Sequence, residues 1–290
     1  MPANRLMQSA TKMNKMKNYL QLVALLFLTV TLPSSCDRFE YHTYETNRYK
    51  APIEASNAYN LEQLLKIPDK DTLRLIFTGD TQRHYDDLKE LVNRINMIPD
   101  VDAVFVAGDL IEFGLSNEFE WVCEELIRLN APFLTAIGNH DCLANGIQIY
   151  QDIYGPLNYS FTWNLIRFVM HNTNGREFGF NGTAPDIAWM QQQLTDEHNF
   201  EATIFLSHVP PFHVDFDENL EHAYAQVVRD AKNTLFVAHG HNHHRFISQP
   251  YNDGIWYLNT SSPENRFFAD VKIIIDGNST PRFVCDFVRF

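Results

Sequence analysis

From residue 72 onward the chain alternates between two patterns of apolar and polar positions. Short apolar runs have the length and composition of buried strands, and longer segments between them carry apolar residues at every third or fourth position. We expect the runs to be strands of a sheet. The runs are Leu73–Thr78, Ala103–Ala107, Phe133–Ile137, Thr203–Leu206 and Thr234–Ala238.

The longer segments predict helices. In the segment Tyr85–Asn96, the apolar residues Leu88, Leu91, Val92 and Ile95 would share one helical face. The same spacing recurs in three further segments, one of them preceded by Ser116 as an N-cap. These segments are Asn117–Leu129, Pro185–Asp196 and Leu220–Ala231.

Two further regions have the character of strands. One is Asn158–Asn172, and the other is the tail Arg245–Phe290, with turns at residues 252–254 and 276–278. Strands that alternate with helices are typical of α/β domains. The pattern therefore predicts a single α/β domain over residues 71–290.

The beginning of the chain has the layout of an export signal. Three lysines, the last of them Lys17, precede the apolar stretch Leu20–Leu32, and two serines then lead to Cys36. A basic start followed by an apolar core is typical of secretory signals, and this stretch is too short for a stable membrane-spanning helix. We therefore expect residues 1–35 to be a signal peptide.

A cysteine directly after small residues resembles the arrangement in bacterial lipoprotein signals. The resemblance implies that Cys36 becomes the lipidated first residue of an exported chain, anchored in the bacterial cell envelope and facing the periplasm or the cell surface. The alternative is an ordinary cleaved signal with an incidental cysteine. Residues 36–70 are polar and rich in tyrosine, with a short helical pattern at Asn60–Lys66. We expect them to form a tether that packs in part onto the domain.

The charge of the chain argues against one class of partner. The 290 residues carry a formal charge of −13, and residues 1–35 hold four basic residues and no acidic ones. The remainder therefore has 19 basic and 36 acidic residues, a formal charge of −17. So acidic a body repels long polyanions, which argues against a nucleic-acid partner. A local metal site can still attract a small phosphorylated substrate.

Each of the five predicted strands is followed directly by residues of types that bind metals in proteins. Because the carboxyl ends of strands meet at one edge of an open α/β sheet, we expect these side chains to lie together. Two carboxylates, two amides and several imidazoles would form a cage for divalent metals. The cage residues are Asp80 and Gln82, Asp109, Asn139, His208, and the pair His241 and His243, and His140 and Asp141 directly follow Asn139.

The ordered set of motifs resembles the calcineurin-like metallophosphoesterase family over the larger part of the chain. The resemblance implies a two-sheet β-sandwich flanked by helices and a dinuclear metal centre that hydrolyses phosphate esters. It also implies that Asp109 bridges the two metals, that His140 is the acid for the leaving oxygen, and that Asp141 orients His140. The first metal would be held by Asp80, Gln82, Asp109 and His243, and the second by Asp109, Asn139, His208 and His241.

Elementary chemistry supports the same assignment. Two cations about 3.5–4 Å apart can hold both ends of an in-line displacement at phosphorus, and they lower the pKa of a bridging water so that hydroxide forms near neutral pH. On a helix, His241 and His243 would point apart, but from a loop they can reach two metals. His213, five residues after His208, is an alternative acid for the leaving group. Manganese, iron and zinc all remain open as the metals.

The sequence therefore predicts an exported, metal-dependent phosphoesterase that acts on a small phosphorylated substrate. A phosphodiesterase or a pyrophosphate-bond hydrolase of the same fold is the alternative within enzymes. A surface-binding lipoprotein with weak catalysis is the alternative outside them, and Gln82 is its one supporting feature. One sequence gives no information on the oligomeric state.

Gln82 leads to a prediction about the affinity and the preferred ion of the first metal site. The family more often has histidine at this position, and a neutral amide oxygen favours harder ions over zinc. We expect the first metal to be held less tightly than the second, or to be replaced readily by Mn²⁺. A titration of the metal-free protein with Zn²⁺ and Mn²⁺ tests this. Equal and tight occupancy of both sites by zinc would refute it.

Overall fold

The computed structural model describes residues 13, 16–23, 52–275 and 280–290. The chain divides into two compact units, Met1–Thr43 and Tyr44–Phe290. In the first unit, residues 16–23 are helical. Cys36 and residues 276–278, where a turn is predicted, lie outside the described residues. In the described part of the chain, no helix is both long and apolar enough to cross a membrane.

The second unit is built from strands and helices that largely follow the predicted order. Its strands are β1 (Thr72–Thr78), β2 (Ala103–Val106), β3 (Phe133–Thr135), β4 (Tyr159–Trp163), β5 (Ile166–Met170), β6 (Ala202–Leu206), β7 (Thr234–His239), β8 (Phe246–Ser248), β9 (Trp256–Asn259), β10 (Phe267–Ile274) and β11 (Arg282–Arg289). Its α-helices are α1 (Asn57–Leu64), α2 (Tyr85–Asn96), α3 (Ser116–Leu126), α4 (Gly146–Ile153), α5 (Ile187–Gln193) and α6 (Glu218–Asp230).

The strands form two sheets. The first has the order β11-β10-β1-β2-β3, and the second has the order β4-β5-β6-β7-β9-β8. Strands β1, β2 and β3 are parallel, as are β5, β6, β7 and β9. Parallel strands present their carboxyl ends at the same edge, so each sheet gathers its strand-end loops on one side.

Three apolar clusters hold the layers together. One lies between the two sheets, one lies under helices α2, α3 and α4 on the first sheet, and one lies under α5 and α6 on the second. The layers therefore run helix, sheet, sheet, helix. This arrangement confirms the predicted α/β fold with a two-sheet sandwich flanked by helices.

Aromatic rings join the two sheets at the centre of the sandwich. Phe105 of β2 stacks on Phe77 of β1 with ring centroids 5.0 Å apart, and on Phe168 of β5, across the sandwich, at 5.3 Å. Phe161 of β4 also stacks on Phe168, with ring centroids 4.9 Å apart. All four rings are buried. Their stacking fixes the distance between the sheets from which the strand-end loops emerge.

Part of the predicted tether belongs to the folded unit. Helix α1 covers much of the predicted helical patch, and its Asn57 side chain donates to the carbonyl of Thr135 (3.2 Å) while accepting from the Thr135 N–H (2.9 Å). The Asn60 side chain accepts from the N–H of Phe133 at 3.2 Å. Residues 52–70 thus extend the domain towards the N-terminus beyond the predicted boundary at residue 71. The division of the preceding residues into signal and tether stays a prediction.

Helix boundaries differ from the predicted ones by a few residues. Helix α3 begins at Ser116 rather than after it, because the Glu118 side chain accepts from the N–H groups of Phe113 and Leu115 and so caps the helix one residue earlier. Helix α4 is absent from the sequence-based prediction. The helix is short and lies between loops, so its apolar positions repeat too few times to predict a helix.

A buried histidine in the second sheet generates a prediction on stability. His171 is fully buried after β5, with Nε2 3.1 Å from the Tyr224 hydroxyl and Nδ1 3.2 Å from the carbonyl of Val169. Burial lowers the pKa of His171 from 6.5 to about 4. The folded state therefore holds this imidazole neutral at pH values where the unfolded chain protonates it.

The contribution of His171 to the free energy of unfolding has its full value above pH 6.5, and it decreases as the pH falls from 6.5 to 4. The loss reaches about 3 kcal/mol at pH 4, because the unfolded state binds a proton that the folded state excludes. We expect the stability difference between wild type and His171→Phe to be constant above pH 7 and to shift in favour of the variant below pH 6. Denaturant unfolding of both proteins at several pH values measures it. A pH-independent difference would show that His171 does not titrate in this way.

Candidate metal centre

The loops after β1 and β2 clasp each other at the edge of the first sheet. The Asp80 N–H donates to the carbonyl of Gly108 at 2.9 Å, and the Gln82 N–H donates to the carbonyl of Asp109 at 3.0 Å. These backbone bonds hold both aspartates in fixed positions. The two carboxylates predicted to be ligands therefore lie next to each other.

Most of the predicted ligands have an unusual backbone conformation. Five of the seven have a positive φ, which is uncommon for residues other than glycine. Such conformations cost roughly 1–3 kcal/mol each and cluster at functional sites, where the surrounding structure enforces them. The five angles are 52° at Asp80, 38° at Gln82, 53° at Asp109, 73° at His241 and 57° at His243.

Asp80, Asp109 and His208 form the buried centre of the site. Each offers one ligand atom, and these three atoms lie within 4.8 Å of one another. Nε2 of His208 is 3.3 Å from Oδ1 of Asp109, and all three residues are at most 1% exposed. The second sheet thus delivers a histidine onto the two carboxylates of the first sheet.

Asp80 shows that the centre suits a cation. Burial raises the pKa of Asp80 to about 7, because a charged carboxylate loses its hydration there. Its Oδ2 is buried and has no hydrogen-bond partner. A buried carboxylate oxygen without a partner is costly unless a positive charge approaches it. The chemistry of the donors therefore fits a divalent metal ion.

A second set of donors converges beside the first. Oδ1 of Asn139 lies 3.0 Å from Nε2 of His208 and 2.9 Å from Nδ1 of His241, and these two nitrogens are 3.3 Å apart. Ligands held about 2.0–2.2 Å from one cation lie about 3 Å from each other. The spacing of these three atoms matches that of neighbouring ligands on one cation.

Gln82 and His243 lie at the outer side of the centre. Nε2 of His243 is 3.6 Å from Oδ1 of Asp80. The Gln82 side chain is nearly buried, and its amide nitrogen donates to Oδ2 of Asp109 at 3.2 Å. Ligation by the predicted amide oxygen therefore requires the amide of Gln82 to turn by 180°. All seven predicted metal ligands lie in one region.

His140 and Asp141 have different surroundings from those predicted. The Asp141 carboxylate accepts from the N–H groups of Ile111 (3.1 Å) and Gly138 (2.8 Å), and it is fully buried. Nδ1 of His140 instead lies 2.8 Å from the carbonyl oxygen of Glu112. The prediction that Asp141 orients His140 is therefore wrong. Asp141 fixes the backbone of the ligand loop, and Glu112 orients the imidazole.

Two residues of the site were missed or only partly recognised in the sequence. Asp215 was not predicted, yet its Oδ2 lies 3.2 Å from Nε2 of His241. His213 was predicted only as an alternative acid, and its ring packs against that of His241 with centroids 4.3 Å apart. The one available signal was the His-X-Asp spacing in the loop after β6. Such a spacing is common, so it carries little information alone.

Comparison with known proteins identifies the domain. A family model described as calcineurin-like phosphoesterase matches residues 73–245, which include all seven predicted ligands. The chain belongs to this family. The resemblance noted in the sequence is thereby confirmed, and the chain carries a phosphoesterase domain.

Curated relatives of the phosphoesterase domain are bacterial. A probable cyclic nucleotide phosphodiesterase from Xenorhabdus bovienii is 23% identical over 138 residues, which cover 46% of this chain and 56% of that protein. A glycerophosphodiester phosphodiesterase from Enterobacter lignolyticus is 25% identical over 177 residues, which cover 55% and 63%. The chain thus spans less than two thirds of the length of these relatives.

Solved structures share the fold of the phosphoesterase domain. A dimetal phosphatase from Danio rerio superposes with a TM-score of 0.55 at 15% identity, covering 74% of this chain and 99% of the other. A purple acid phosphatase from yellow lupin superposes with a TM-score of 0.54 at 15% identity, covering 77% and 52%. At this identity the likeness concerns the arrangement of sheets and helices.

Glycines allow the ligand loops of the phosphoesterase centre to approach so closely. A Cβ atom at Gly138 would lie 2.0 Å from the backbone nitrogen and 2.2 Å from Oδ1 of Asp109. A Cβ atom at Gly240 would lie 2.8 Å from Oδ2 of Asp80. Both glycines therefore leave the space that the carboxylates occupy.

We expect Gly138→Ala to reduce metal binding although Gly138 is not a ligand. The added methyl group must displace Asp109, and misplaced ligands typically cost about tenfold to a hundredfold in metal affinity. Metal content per chain and binding titrations measure the effect. Gly254→Ala is the control, because an added Cβ at Gly254 meets no atom within 4 Å, and any strain from its positive φ lies outside the ligand loops. Unchanged metal affinity in Gly138→Ala would contradict this account of the loops.

Proposed function

We propose that this chain is a metal-dependent hydrolase of phosphoric esters that holds two divalent cations, and that phosphodiesters are its substrates. The observation that carries the proposal is the buried group of Asp80, Asp109 and His208, whose ligand atoms lie within 4.8 Å of one another. Family membership supports the reaction class. The names of the two bacterial relatives, both phosphodiesterases, favour the diester class.

The donor atoms suggest how the ligands divide. Asp109 lies between the two sets, so it would bridge the cations, with Asp80, Gln82 and His243 on one side. Asn139, His208 and His241 would complete the other side. When bound, two such cations lower the pKa of a coordinated water and offset the charge of the phosphate. Manganese, iron and zinc each fit this set of oxygen and nitrogen donors.

His140 is placed to serve the leaving group. Its backbone N–H donates to Oδ1 of Asp109 at 2.9 Å, which ties the loop to the proposed bridging carboxylate. Its Nδ1 faces the carbonyl of Glu112, so Nδ1 carries a hydrogen in both protonation states of the ring. Nε2 is therefore the nitrogen that would pass a proton to the leaving oxygen.

A cleft beside the metal centre would receive an alcohol group of the ester. Its volume is about 450 Å³, and its lining comes from Phe180 and from residues of the segment 211–221. Phe212, Phe180 and Val214 are exposed there, which gives an apolar surface for an organic group. The loops Arg176–Thr183 and Pro211–Asn219 therefore both contribute to the cleft.

The charge of the cleft favours a diester over a pyrophosphate bond. Among the described residues that line it, none is lysine or arginine, and Asp217, Glu218 and Glu221 are acidic. A pyrophosphate substrate brings a second phosphate whose charge would meet these carboxylates unopposed. A phosphodiester carries a single negative charge and an uncharged second alcohol.

The setting of the enzyme is part of the proposal. The layout of residues 1–36 supports export and lipid attachment through Cys36, which would place the domain at the envelope membrane of a bacterium. Its substrate would then be a small phosphorylated molecule outside the cytoplasm. Mass spectrometry of the mature N-terminus tests this, because lipidation gives a defined mass increase on a chain that begins at Cys36.

The enzymatic proposal is tested with a chromogenic phosphomonoester and a chromogenic phosphodiester, measured side by side on the metal-free protein and after addition of Mn²⁺, Fe²⁺ or Zn²⁺. We expect metal-dependent hydrolysis that is faster on the diester and is abolished by a chelator. Asp109→Asn should remove it by weakening both metal sites. Two bound metals with no turnover on either substrate would favour the alternative of a surface-binding lipoprotein.

His140→Ala separates catalysis from metal binding in the same assay. We expect the rate constant to fall by about 10²–10⁴, the usual contribution of a general acid, while the metal content stays at the wild-type level. The effect should be smaller for a substrate with a good leaving group, which needs no protonation. A loss of bound metal in His140→Ala would mean that His140 is a ligand or a structural residue instead.

A further inference from the structure

His241 is contacted from two opposite sides. Its Nδ1 faces Asn139 and His208 in the metal centre, while its Nε2 faces away from the centre towards the loop after β6. On that side Nε2 lies 3.1 Å from Nδ1 of His213 and 3.2 Å from Oδ2 of Asp215. The imidazole can therefore bind a metal only through Nδ1, and its Nε2 must be satisfied by the protein.

Hydrogen bonds determine which nitrogen of His241 carries the hydrogen. The Asp215 carboxylate can only accept, and Nδ1 of His213 accepts the backbone N–H of Asp215 at 3.2 Å. Both neighbours of His241 Nε2 are thus acceptors. Nδ1 faces the neutral amide oxygen of Asn139 at 2.9 Å, a weaker acceptor than the Asp215 carboxylate, so the hydrogen is on Nε2. Nδ1 then keeps its lone pair, which faces the metal centre.

Asp215 is itself held in place. Nη1 of Arg176 donates to Oδ2 of Asp215 at 3.0 Å, and the Arg176 N–H donates to the Asp215 carbonyl at 3.1 Å. The Asp215 residue is nearly buried, with 8% of its surface exposed. The oxygen that faces His241 is therefore fixed rather than free to rotate into solvent.

The cluster of His213, Asp215 and His241 could bind a cation, or it could orient His241. The guanidinium group of Arg176 decides between these two roles. His213, Asp215 and His241 offer ligand atoms within 4.8 Å of one another, so the cluster has the composition of a cation site. A cation there would lie beside the positive charge of Arg176 and would need both nitrogens of His241 to bind metals at once. The positive charge of Arg176 and the need for both nitrogens of His241 argue against a third cation. They favour the role of orienting His241.

We infer that Asp215, held by Arg176, is a positioning residue that fixes the tautomer and the ring orientation of His241 for metal binding. The inference rests on the proposed metal-dependent function, since it gives His241 the role of a ligand. The other central histidine has no such dependence on a side chain. Nδ1 of His208 lies 2.7 Å from the carbonyl oxygen of Ala107, so the backbone itself fixes that tautomer. Of the two histidines His208 and His241, His241 is thus the one whose orientation depends on a side chain.

Nitrogen NMR of the metal-free wild-type protein tests the tautomer directly. The two ring nitrogens of a neutral imidazole have distinct shifts according to which one carries the hydrogen, and His241→Asn identifies the signals of His241. We expect the hydrogen on Nε2 of His241, and a shift of the population towards Nδ1–H in Asp215→Ala. A wild-type protein with the hydrogen on Nδ1 of His241 would overturn the inference, whatever the variants show.

Metal binding gives the second measurement. We expect Asp215→Ala to weaken one of the two cations about tenfold to a hundredfold and to leave the other unchanged, as is usual when the partner of a ligating histidine is removed. Asp215→Asn keeps an oxygen acceptor and should lose less. Calorimetric titration with Mn²⁺ measures both constants. Equal affinities in Asp215→Ala and wild type, or a third bound cation that Asp215→Ala removes, would overturn the inference.

The controls separate this effect from a general loss of structure. Glu201→Gln breaks an ion pair with Lys232 (3.2 Å), away from the centre, and should change neither the His241 spectrum nor metal binding. Thermal unfolding of each variant shows whether it is folded. If the protein binds two cations but hydrolyses no ester, the proposed function fails while the tautomer result stands. If hydrolysis occurs but Asp215→Ala leaves the spectrum and both affinities unchanged, only the present inference fails.

Discussion

Two carboxylates buried side by side set the main electrostatic constraint on this molecule. Asp80 and Asp109 lie at adjacent strand ends with almost no exposure to water, and burial of a charge is costly unless an opposite charge compensates it. His208 supplies part of that compensation from the other sheet. Oδ2 of Asp80 stays buried without a hydrogen-bond partner, and a bound cation would compensate it. The strained loop conformations are the local cost of bringing these groups together.

The constraint extends to the whole sandwich, because neither sheet holds the centre alone. Asp80, Asp109 and Asn139 follow strands of the first sheet, whereas His208 and His241 follow strands of the second. The stacked rings of Phe77, Phe105 and Phe168 set the distance between those sheets. The geometry of the centre therefore depends on packing well away from it. A change in the aromatic core would reach the ligands through the separation of the sheets.

Much of the fold and most of the centre could be predicted from the sequence, because both leave local signals. Apolar runs of strand length place β1, β2, β3, β6 and β7, and each run is followed directly by its ligands. Features that depend on contacts between distant segments were not predictable. Asp215 contributes only because its loop folds back onto His241, and Glu112 orients His140 through a carbonyl group that every residue has. Helix α1 was underestimated for the same reason, since its side chains bond to a strand more than 70 residues away.

Helix α1 also has a consequence for how the chain avoids association with itself. Strand β3 is the outermost strand of the first sheet, and such an edge invites pairing with a strand from another molecule. Asn57 and Asn60 occupy the backbone groups of Thr135 and Phe133 that an added strand would use. The part of the predicted tether that forms helix α1 thus covers the outer edge of β3. A chain that begins at residue 71 would keep every proposed ligand but would lack helix α1. Its strand β3 would be open to pairing with another molecule, so the chain would be prone to aggregation.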